Sequence, residues 1–434
     1  MKTAAVAAVI LAAGKGTRMR SDRPKVLFEV AGRPMVGHVL EAALGLHPKR
    51  VVVVVGHGAS DVRAALRKDP SFDPAVVRFA LQPEQRGTGH ALRCALPALR
   101  GFRGTVLVLS GDVPLVGTET LRTLADAHRR SSTAATVLTF RPADPTGYGR
   151  VVRDSRGAFL DIVEEKDADF ETRTIAEVNA GLYAFDSSVL PGALRRLRSQ
   201  NAQRELYLTD VPRLLRRDGK TVGAVRVLDP EVVSGVNTLS ELAYAGSVMR
   251  RRVLESFLDA GVEIVDPSTT FIAPAVHVGA GTRIEPFTVI ETGVRIGRRC
   301  SVGPFARLRT GTVLEDGAAV GNFVEVKASR IGRGSRARHL AYIGDADVGA
   351  GVNVGAGTIT CNYDGKRKNA TKVEDGAFLG SGTLLVAPVT IGRRAVTGAG
   401  AVVLAGMRVP AGAVAVGVPA RIVGVSSGSR KGRK

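Results

Sequence analysis

The stretch VGAGTRIEPFTVIETGVRIGRRCSV, residues 278–302, carries an aliphatic residue at every sixth position. The series runs unbroken to residue 326, and its members are Val278, Ile284, Ile290, Ile296, Val302, Leu308, Leu314, Val320 and Val326. Side chains repeat about every 3.6 residues on a helix and about every 2 on a strand, so this period fits neither. It predicts a left-handed parallel β-helix of hexapeptide repeats, in which each turn stacks its aliphatic residue over the one below.

The repeat extends over residues 276–416, where the frame slips at Ile331 and again at Val348. At three hexapeptides a coil, this length predicts roughly eight coils. The polar segment CNYDGKRKNATK, residues 361–372, interrupts the pattern. We expect it to leave the β-helix as a loop, and loops on rigid scaffolds often carry function.

The first half of the chain has a different pattern. RVVVVVG (50–56) and TVLVLSGD (105–112) are continuous apolar runs typical of strands buried on both faces, and residues 34–44 and 89–99 have helical spacing. This alternation predicts an α/β fold with a Rossmann-like, mostly parallel sheet. Ligands of such sheets bind beyond the carboxyl ends of the strands, where residues 14–16 and 111–112 fall.

The length of 434 residues favours more than one domain. Residues 239–260 have the pattern of one long helix, closed by Gly261. We therefore predict a nucleotide-binding domain at 1–234, a linker helix at 235–260 and a β-helix domain at 261–434, the last ending in a basic tail at 426–434.

The chain carries 61 Lys and Arg against 40 Asp and Glu, a net charge of +21. This balance favours anionic partners such as nucleotides, phosphosugars or coenzyme A. No nucleic-acid recognition module is evident, so we expect no nucleic-acid partner. No apolar run reaches the roughly 20 residues of a membrane span. The three cysteines have no CxxC spacing, which favours a reducing, cytoplasmic location.

The stretch LAAGKGTRM, residues 11–19, follows an apolar run near the start of the chain. Its glycines match neither GxGxxG nor the P-loop spacing. They would still let the backbone approach an anion, with Lys15, Arg18 and Lys25 supplying positive charge. The apolar run could alternatively be the core of a secretory signal, but the patterned turn behind it favours a strand that feeds a glycine turn.

A family resemblance depends on motifs in a fixed order. Residues 9–30, VILAAGKGTRMRSDRPKVLFEV, resemble the start of the sugar-nucleotide pyrophosphorylases. Further motifs follow in family order: LQPEQRGTGHA (81–91), SGDVPL (110–115), TGYGRVV (146–152), IVEEKDA (162–168), VNAGLY (178–183), GVN (235–237), GPFARLRTG (303–311), VGNFVEVKAS (320–329), GSRARHLAYIGD (334–345) and NVGAGTITCNYDGKRK (353–368).

With a β-helix behind these motifs, the resemblance covers nearly the whole chain. It implies a bifunctional enzyme that acetylates glucosamine-1-phosphate from acetyl-CoA and then transfers uridylyl from UTP, making UDP-N-acetylglucosamine for cell-envelope precursors. One alternative is a pyrophosphorylase for another sugar with a regulatory or oligomerising β-helix. Another is a non-catalytic scaffold or nucleotide sensor, against which the joint presence of Lys25, Asp112 and Asn237 argues.

The resemblance implies roles in the first half. Lys25 and Arg18 would be catalytic, and Lys15, Thr17 and Arg18 would face the leaving pyrophosphate. Asp112 and Asn237 would bind Mg²⁺, which prefers oxygen ligands. The residues expected to bind UTP or UDP-N-acetylglucosamine are Leu11, Ala12, Ala13, Gly14, Lys25, Gln82, Gly87, Thr88, Ser110, Gly111, Asp112, Gly149, Glu164, Asn179 and Asn237. Among them, the resemblance implies that Gln82, Gly87 and Thr88 read the uracil edge and that Gly149, Glu164 and Asn179 hold the sugar and its acetamido group.

It also implies a second site in the β-helix, completed between neighbouring subunits of a homotrimer. His339 would take the amine proton, because histidine titrates near the working pH, and Glu325 would orient it if the coils stack them. The residues expected to bind the sugar phosphate are Arg309, Lys327, Tyr342, Asn353 and Lys368. Those expected to bind acetyl-CoA are Ala356, Asn362, Tyr363, Ser381 and Ala399.

The sequence departs from the family near its end. Relatives can place an arginine for coenzyme A before a VP pair, whereas this chain has Gly417 there, in VGVPAR (416–421). Arg421 is the candidate replacement from a shifted position.

Overall fold

The computed structural model describes residues 5–425, so the predicted basic tail at 426–434 lies outside the described residues. The described chain forms two compact units that divide between Met249 and Arg250. The division falls within one helix, Leu239–Asp259, in the region where the sequence predicts a linker helix.

The first unit alternates strands and helices. Its strands are β1 (Val6–Ala12), β2 (Glu29–Val30), β3 (Arg33–Pro34), β4 (Arg50–Val55), β5 (Val77–Leu81), β6 (Thr105–Ser110), β7 (Ala135–Phe140), β8 (Arg150–Arg153), β9 (Phe159–Val163), β10 (Val178–Asp186) and β11 (Val222–Arg226). Its helices are α1 (Met35–Leu44), α2 (Ala59–Arg67), α3 (Thr88–Ala95), α4 (Thr118–Ser131), α5 (Phe170–Arg173), α6 (Leu190–Arg195) and α7 (Asp210–Arg217); α8 (Leu239–Asp259) contains the division between the units.

Seven of these strands form a mostly parallel sheet in the order β11-β7-β10-β6-β1-β4-β5, in which only β10 runs antiparallel to its neighbours. Strands β8 and β9 are added beside β10, and β2 and β3 form a separate two-stranded sheet. The apolar run near the start of the chain forms β1, which pairs with β4 and β6 in the middle of the sheet. Buried apolar clusters cover both faces of the sheet. The predicted Rossmann-like sheet is confirmed, and the carboxyl ends of β1 and β6 lie side by side at one edge.

The second unit consists of very short strands. They are β12 (Glu263–Ile264), β13 (Phe271–Ile272), β14 (His277–Val278), β15 (Arg283–Ile284), β16 (Val289–Ile290), β17 (Arg295–Ile296), β18 (Ser301–Val302), β19 (Arg307–Leu308), β20 (Val313–Leu314), β21 (Ala319–Asn322), β22 (Glu325–Lys327), β23 (Arg330–Ile331), β24 (Arg336–His339), β25 (Tyr342–Gly344), β26 (Ala346–Val348), β27 (Asn353–Val354), β28 (Ile359–Cys361), β29 (Thr371–Val373), β30 (Phe378–Leu379), β31 (Leu384–Val386), β32 (Val389–Ile391), β33 (Val396–Thr397), β34 (Val402–Val403), β35 (Arg408–Val409), β36 (Ala413–Val416) and β37 (Arg421–Val425).

Every third of these strands belongs to the same parallel sheet, so the chain winds around three flat sheets; only β37 is added antiparallel at the end. The nine aliphatic residues of the unbroken series, from Val278 to Val326, are each 0–7% exposed and fill the interior. The predicted left-handed β-helix of hexapeptide repeats is confirmed. Residues 362–370 lie between β28 and β29, so the predicted loop is present but begins and ends slightly inside the predicted bounds.

One corner of the β-helix carries a row of exposed apolar residues. Phe287, Phe305 and Phe323 occupy successive coils with φ of 57°, 54° and 54°, the left-handed region that non-glycine residues rarely adopt. Their rings stack with centroids 4.8 and 5.0 Å apart, and each side chain is about half exposed. Leu340 continues the row with φ of 45° and 61% exposure. We call these four residues the phenylalanine ladder.

Among residues 5–425, no helix combines the length and the apolarity needed to cross a membrane.

Candidate active sites

The turn after β1 is shaped around a lysine. Gly16 has φ of 64°, and a Cβ there would lie 2.4 Å from the Cβ of Lys25. Gly14 faces open space instead. The glycine at position 16 is therefore required by the packing of Lys25 against the turn, which links LAAGKGTRM physically to the RPK segment that follows it.

Lys25 joins two residues from distant segments. Its Nζ lies 2.5 Å from Oδ2 of Asp112 and donates to Oδ1 of Asn237 at 2.8 Å. Arg18 donates to the same oxygen of Asn237 at 2.8 Å. Asp112 follows β6, and its carbonyl accepts from the backbone of Val236 at 2.9 Å, which holds the GVN segment against this edge. The structure thus brings together all four residues that the sequence assigns to catalysis and metal binding in this unit.

The residues expected to read the uracil lie on the other side of β1. Gln82 is 4% exposed, and its Nε2 donates to the carbonyl of Gly87 at 3.1 Å. Thr88 begins α3, with Gly87 at φ of 99° before it. Gln85, which sequence reasoning missed, donates to the carbonyl of Ala13 at 2.7 Å and so ties this loop to the end of β1.

The residues expected to hold the sugar also converge. The backbone of Asn179 donates to the carbonyl of Gly149 at 2.9 Å, and a Cβ on Gly149 would lie 3.4 Å from Oε2 of Glu164. Asn179 Nδ2 donates to the hydroxyl of Tyr183 at 2.7 Å. Burial raises the pKa of Glu164, which nevertheless accepts a hydrogen bond from Thr209 at 3.0 Å. Tyr183 closes the quoted motif VNAGLY without a role assigned to it, and Thr209 lies outside every quoted motif.

The second site lies along the sheet that contains β19, β22 and β25. Nη1 of Arg309 donates to Oε1 of Glu325 at 2.8 Å, and Glu325 is the cross-strand partner of Tyr342. The Lys327 ammonium, beside Lys368 of the loop, lowers the pKa of the Lys368 ammonium. Three cations therefore gather where the resemblance places a sugar phosphate.

His339 ends β24, where it pairs in register with Asn322 and is exposed. Within residues 5–425, the His339 ring makes neither a hydrogen bond nor an ion pair, and the Glu325 carboxylate accepts from Arg309. Asn353 lies on β27, in the same sheet as His339 and opposite Arg336. Tyr342 lies on β25, which belongs to a different sheet. The role of Glu325 in orienting His339 stays a prediction.

The residues expected to bind acetyl-CoA divide into two groups. The backbone N–H of Gly382 donates to the carbonyl of Ala356 at 2.7 Å, and that of Gly400 donates to the carbonyl of Ser381 at 2.8 Å. Ala356, Ser381 and Ala399 therefore occupy the same corner in successive coils. Asn362 is 7% exposed and its amide donates to the carboxylate of Asp345. Tyr363 is 61% exposed in the loop. Arg421 begins β37, opposite Val416.

Comparisons with known proteins agree with both units. The family model of the MobA-like NTP transferase domain matches residues 8–182, and that of the bacterial transferase hexapeptide, with six repeats, matches residues 275–310. The bifunctional protein GlmU of Syntrophotalea carbinolica is 49% identical, over 93% of this chain and 93% of its own length. GlmU of Pelotomaculum thermopropionicum is 47% identical, over 88% of this chain and 90% of its own length. GlmU of Corynebacterium efficiens is 44% identical, over 94% of this chain and 91% of its own length.

Fold and matches together define a bifunctional transferase with a nucleotidyltransferase unit and a hexapeptide-repeat unit. The chain belongs to the GlmU family of bifunctional proteins. It is an enzyme of UDP-N-acetylglucosamine synthesis, combining acetyl transfer with uridylyl transfer, and the function expected from the sequence is confirmed.

Proposed function

We propose that the first unit carries out uridylyl transfer at the cluster of Lys25, Asp112 and Asn237. The observation that carries the proposal is the position of the Lys25 ammonium, which reaches both other side chains at the carboxyl edge of the sheet. In this reaction a phosphate oxygen of N-acetylglucosamine-1-phosphate forms a bond to the α-phosphorus of UTP, and the bond to pyrophosphate breaks. Lys25 and Arg18 would align and neutralise the phosphates, since such transfers depend chiefly on positioning and charge stabilisation.

We further propose that Asp112 and Asn237 hold Mg²⁺ in this unit. Oδ2 of Asp112 and Oδ1 of Asn237 both lie within 2.8 Å of one lysine nitrogen, so two oxygen donors already converge on a single cationic position. Carboxylate and amide oxygens suit this hard cation and leave room for phosphates and water. When bound, Mg²⁺ supplies charge neutralisation for the triphosphate.

We propose that the second unit carries out acetyl transfer, with His339 as the general base. The amine of glucosamine-1-phosphate attacks the thioester carbonyl of acetyl-CoA, a C–N bond forms and the C–S bond breaks. His339 would take the proton from the amine and return it to the departing thiolate. Arg309, Lys327 and Lys368 would hold the phosphate, because the two ammonium groups gain a shared anion between them and the guanidinium forms bidentate pairs with phosphate.

We propose that the working form is a homotrimer in the cytoplasm. The phenylalanine ladder supports an interface, because it leaves four apolar side chains exposed in one row, from Phe287 to Leu340. The ladder ends at the residue next to His339, which fits a site completed by a neighbouring subunit. The three cysteines are unpaired, as expected in a reducing compartment.

Two product assays run separately test the proposed function. The protein is incubated with glucosamine-1-phosphate, acetyl-CoA, UTP and Mg²⁺, while free thiol and pyrophosphate are followed independently. We expect thiol release without UTP, and pyrophosphate release only after acetylation or when N-acetylglucosamine-1-phosphate is added. Absence of thiol release would contradict acetyl transfer and favour the alternative in which the β-helix only regulates or oligomerises.

A further inference from the structure

The segment Glu205–Thr209 passes between the two halves of the candidate nucleotide site. The backbone of Leu206 donates to the carbonyl of Arg86 at 2.8 Å and accepts from the backbone of Gly89 at 2.8 Å. Two residues further on, the backbone of Leu208 donates to Oγ1 of Thr88 at 3.1 Å. The segment is thus bonded to residues 86, 88 and 89, at the end of the loop that the resemblance assigns to uracil recognition.

This contact also accounts for two glycines of the QRGTG motif. A Cβ on Gly87 would lie 2.7 Å from the carbonyl oxygen of Leu206, and one on Gly89 would lie 2.9 Å from the same atom. Because that atom is backbone, it cannot move aside as the end of a flexible side chain could. Both glycines therefore let the 205–209 segment approach, in addition to any approach of a nucleotide.

At its far end the segment reaches the sugar side of the site. Thr209 is 5% exposed, and its hydroxyl donates to Oε1 of Glu164 at 3.0 Å. The carboxylates of Asp167, Glu205 and Asp210 also face Glu164, and all carry the same sign of charge. A neutral hydroxyl is therefore the donor that the protein offers to this carboxylate.

We propose that Thr209 is a positioning residue for sugar recognition, which holds the Glu164 carboxylate in place from the end of the 205–209 segment. This inference rests on the proposed function, in which Glu164 contacts the N-acetylglucosamine moiety. No motif in the sequence marks Thr209, because its partner Glu164 is 45 residues away along the chain.

The hydroxyl of Thr209 matters because it favours the ionised form of the Glu164 carboxylate. Burial and the three acidic neighbours raise the pKa of Glu164, whereas the hydrogen bond from Thr209 lowers it. Valine has the shape of threonine but cannot donate, so its introduction favours the neutral carboxyl and frees its orientation. Serine keeps the donor and loses only a methyl group.

The test compares Thr209→Val with Thr209→Ser, with Thr118→Val as the matched control. Thr118 is a threonine of the same unit whose hydroxyl donates to the carbonyl of Ala42, outside the candidate site. For Thr209→Val we expect KM for N-acetylglucosamine-1-phosphate to rise about tenfold, with kcat and KM for UTP within about twofold of the parent. Thr209→Ser and Thr118→Val should stay within about twofold in every constant.

The pH profile supplies a readout that a general loss of packing would not move. A higher pKa of Glu164 means that the charged form is lost at higher pH, so in Thr209→Val the acid limb of kcat/KM for the sugar phosphate should shift upward. We expect a shift of about half a pH unit or more, absent in Thr209→Ser.

The outcomes separate this inference from the proposed function. Suppose that the parent enzyme transfers uridylyl groups and that Glu164→Gln raises KM for the sugar phosphate. If Thr209→Val then leaves both this KM and the pH profile unchanged, the positioning role is wrong and the proposed function stands. If Glu164→Gln has no effect on the sugar KM, the assignment of Glu164 itself fails. The proposal would also be overturned if Thr209→Val and Thr209→Ser both showed a lower kcat and a higher KM for each substrate. The defect would then be structural, because serine keeps the hydroxyl donor.

Discussion

The Nζ atom of Lys25 lies 2.5 Å from Oδ2 of Asp112. The two residues come from separate parts of the first unit: Lys25 opens a short 3₁₀ turn after Pro24, and Asp112 follows the end of β6. Both side chains are largely withdrawn from solvent, with 13% and 25% of their surfaces exposed. A lysine and an aspartate held this way form a fixed charged pair at the edge of the sheet where ligands of such folds bind.

The first prediction concerns Lys25. Lys25→Met keeps much of the side-chain length but removes the ammonium, so the phosphates lose a fixed cation. We expect pyrophosphate release to fall about 100-fold or more, because removing one charge-stabilising donor typically has this effect. Thiol release from acetyl-CoA should be unchanged. Equal uridylyl transfer in Lys25→Met and the parent would remove Lys25 from the catalytic residues.

The second prediction tests the metal site. Asp112→Asn removes the charge that Mg²⁺ would meet at this position while keeping an oxygen. The Mg²⁺ concentration for half-maximal pyrophosphate release should rise at least about tenfold. Asp126→Asn is the matched control, since Asp126 is a partly exposed residue of α4 paired with Arg129. An unchanged Mg²⁺ dependence in Asp112→Asn would show that Asp112 is not a ligand.

The third prediction concerns the general base. His339→Ala should lower thiol release by about 100-fold to 10,000-fold, the range that a positioned proton acceptor supplies. Uridylyl transfer from added N-acetylglucosamine-1-phosphate should be retained. His277→Ala provides the control, because His277 is an exposed histidine on a strand of the same unit. Loss of both activities in His339→Ala would mean that the two functions are not independent.

The fourth prediction tests the phenylalanine ladder. Phe305 stacks on both Phe287 and Phe323, so Phe305→Glu places a charge in the middle of the row. Light scattering should show a trimer for the parent chain and a smaller species for Phe305→Glu, with thiol release reduced because the site lacks its neighbour. Phe170→Glu, at a phenylalanine 87% exposed in the first unit, should remain trimeric. A monomeric parent chain would contradict the proposed assembly directly.

The fifth prediction concerns stability and pH. Burial opposes ionisation of Glu177, but hydrogen bonds from Arg153 at 2.6 and 2.8 Å and from Thr139 at 2.6 Å outweigh it, and the pKa of Glu177 lies below its usual value. A lowered pKa stabilises the folded state above the unfolded pKa of about 4.3, and this contribution is lost as pH falls through the folded pKa.

Glu177→Gln should therefore reduce the free energy of unfolding by roughly 2–3 kcal/mol at pH 7, since Arg153 loses its buried partner. The difference from the parent should shrink below about pH 4. Denaturant unfolding followed by circular dichroism at several pH values measures it. A difference that is constant with pH would show that the loss is one of packing and not of charge.

Some contacts could not be predicted from the sequence although their residues were conspicuous. Glu325 pairs with Arg309, the residue that follows β19, because β19 neighbours the strand of Glu325, whereas His339 ends a strand of another sheet. That Glu325 orients His339 stays a prediction. Thr209 was not predicted at all, since its importance comes only from the carboxylate that the fold brings to it.

The sequence by itself determined the two fold classes and the family. In a β-helix every hexapeptide buries one aliphatic residue, so the period of six in the sequence is enough to predict the fold. Continuous apolar runs predict the buried strands of the parallel sheet in the same way. The tertiary structure alone decided which side chains pair, such as Lys25 with Asp112 and Thr209 with Glu164. Those pairings depend on which strands and loops become neighbours, and the direction of a hydrogen bond between distant segments leaves no periodic trace along the chain.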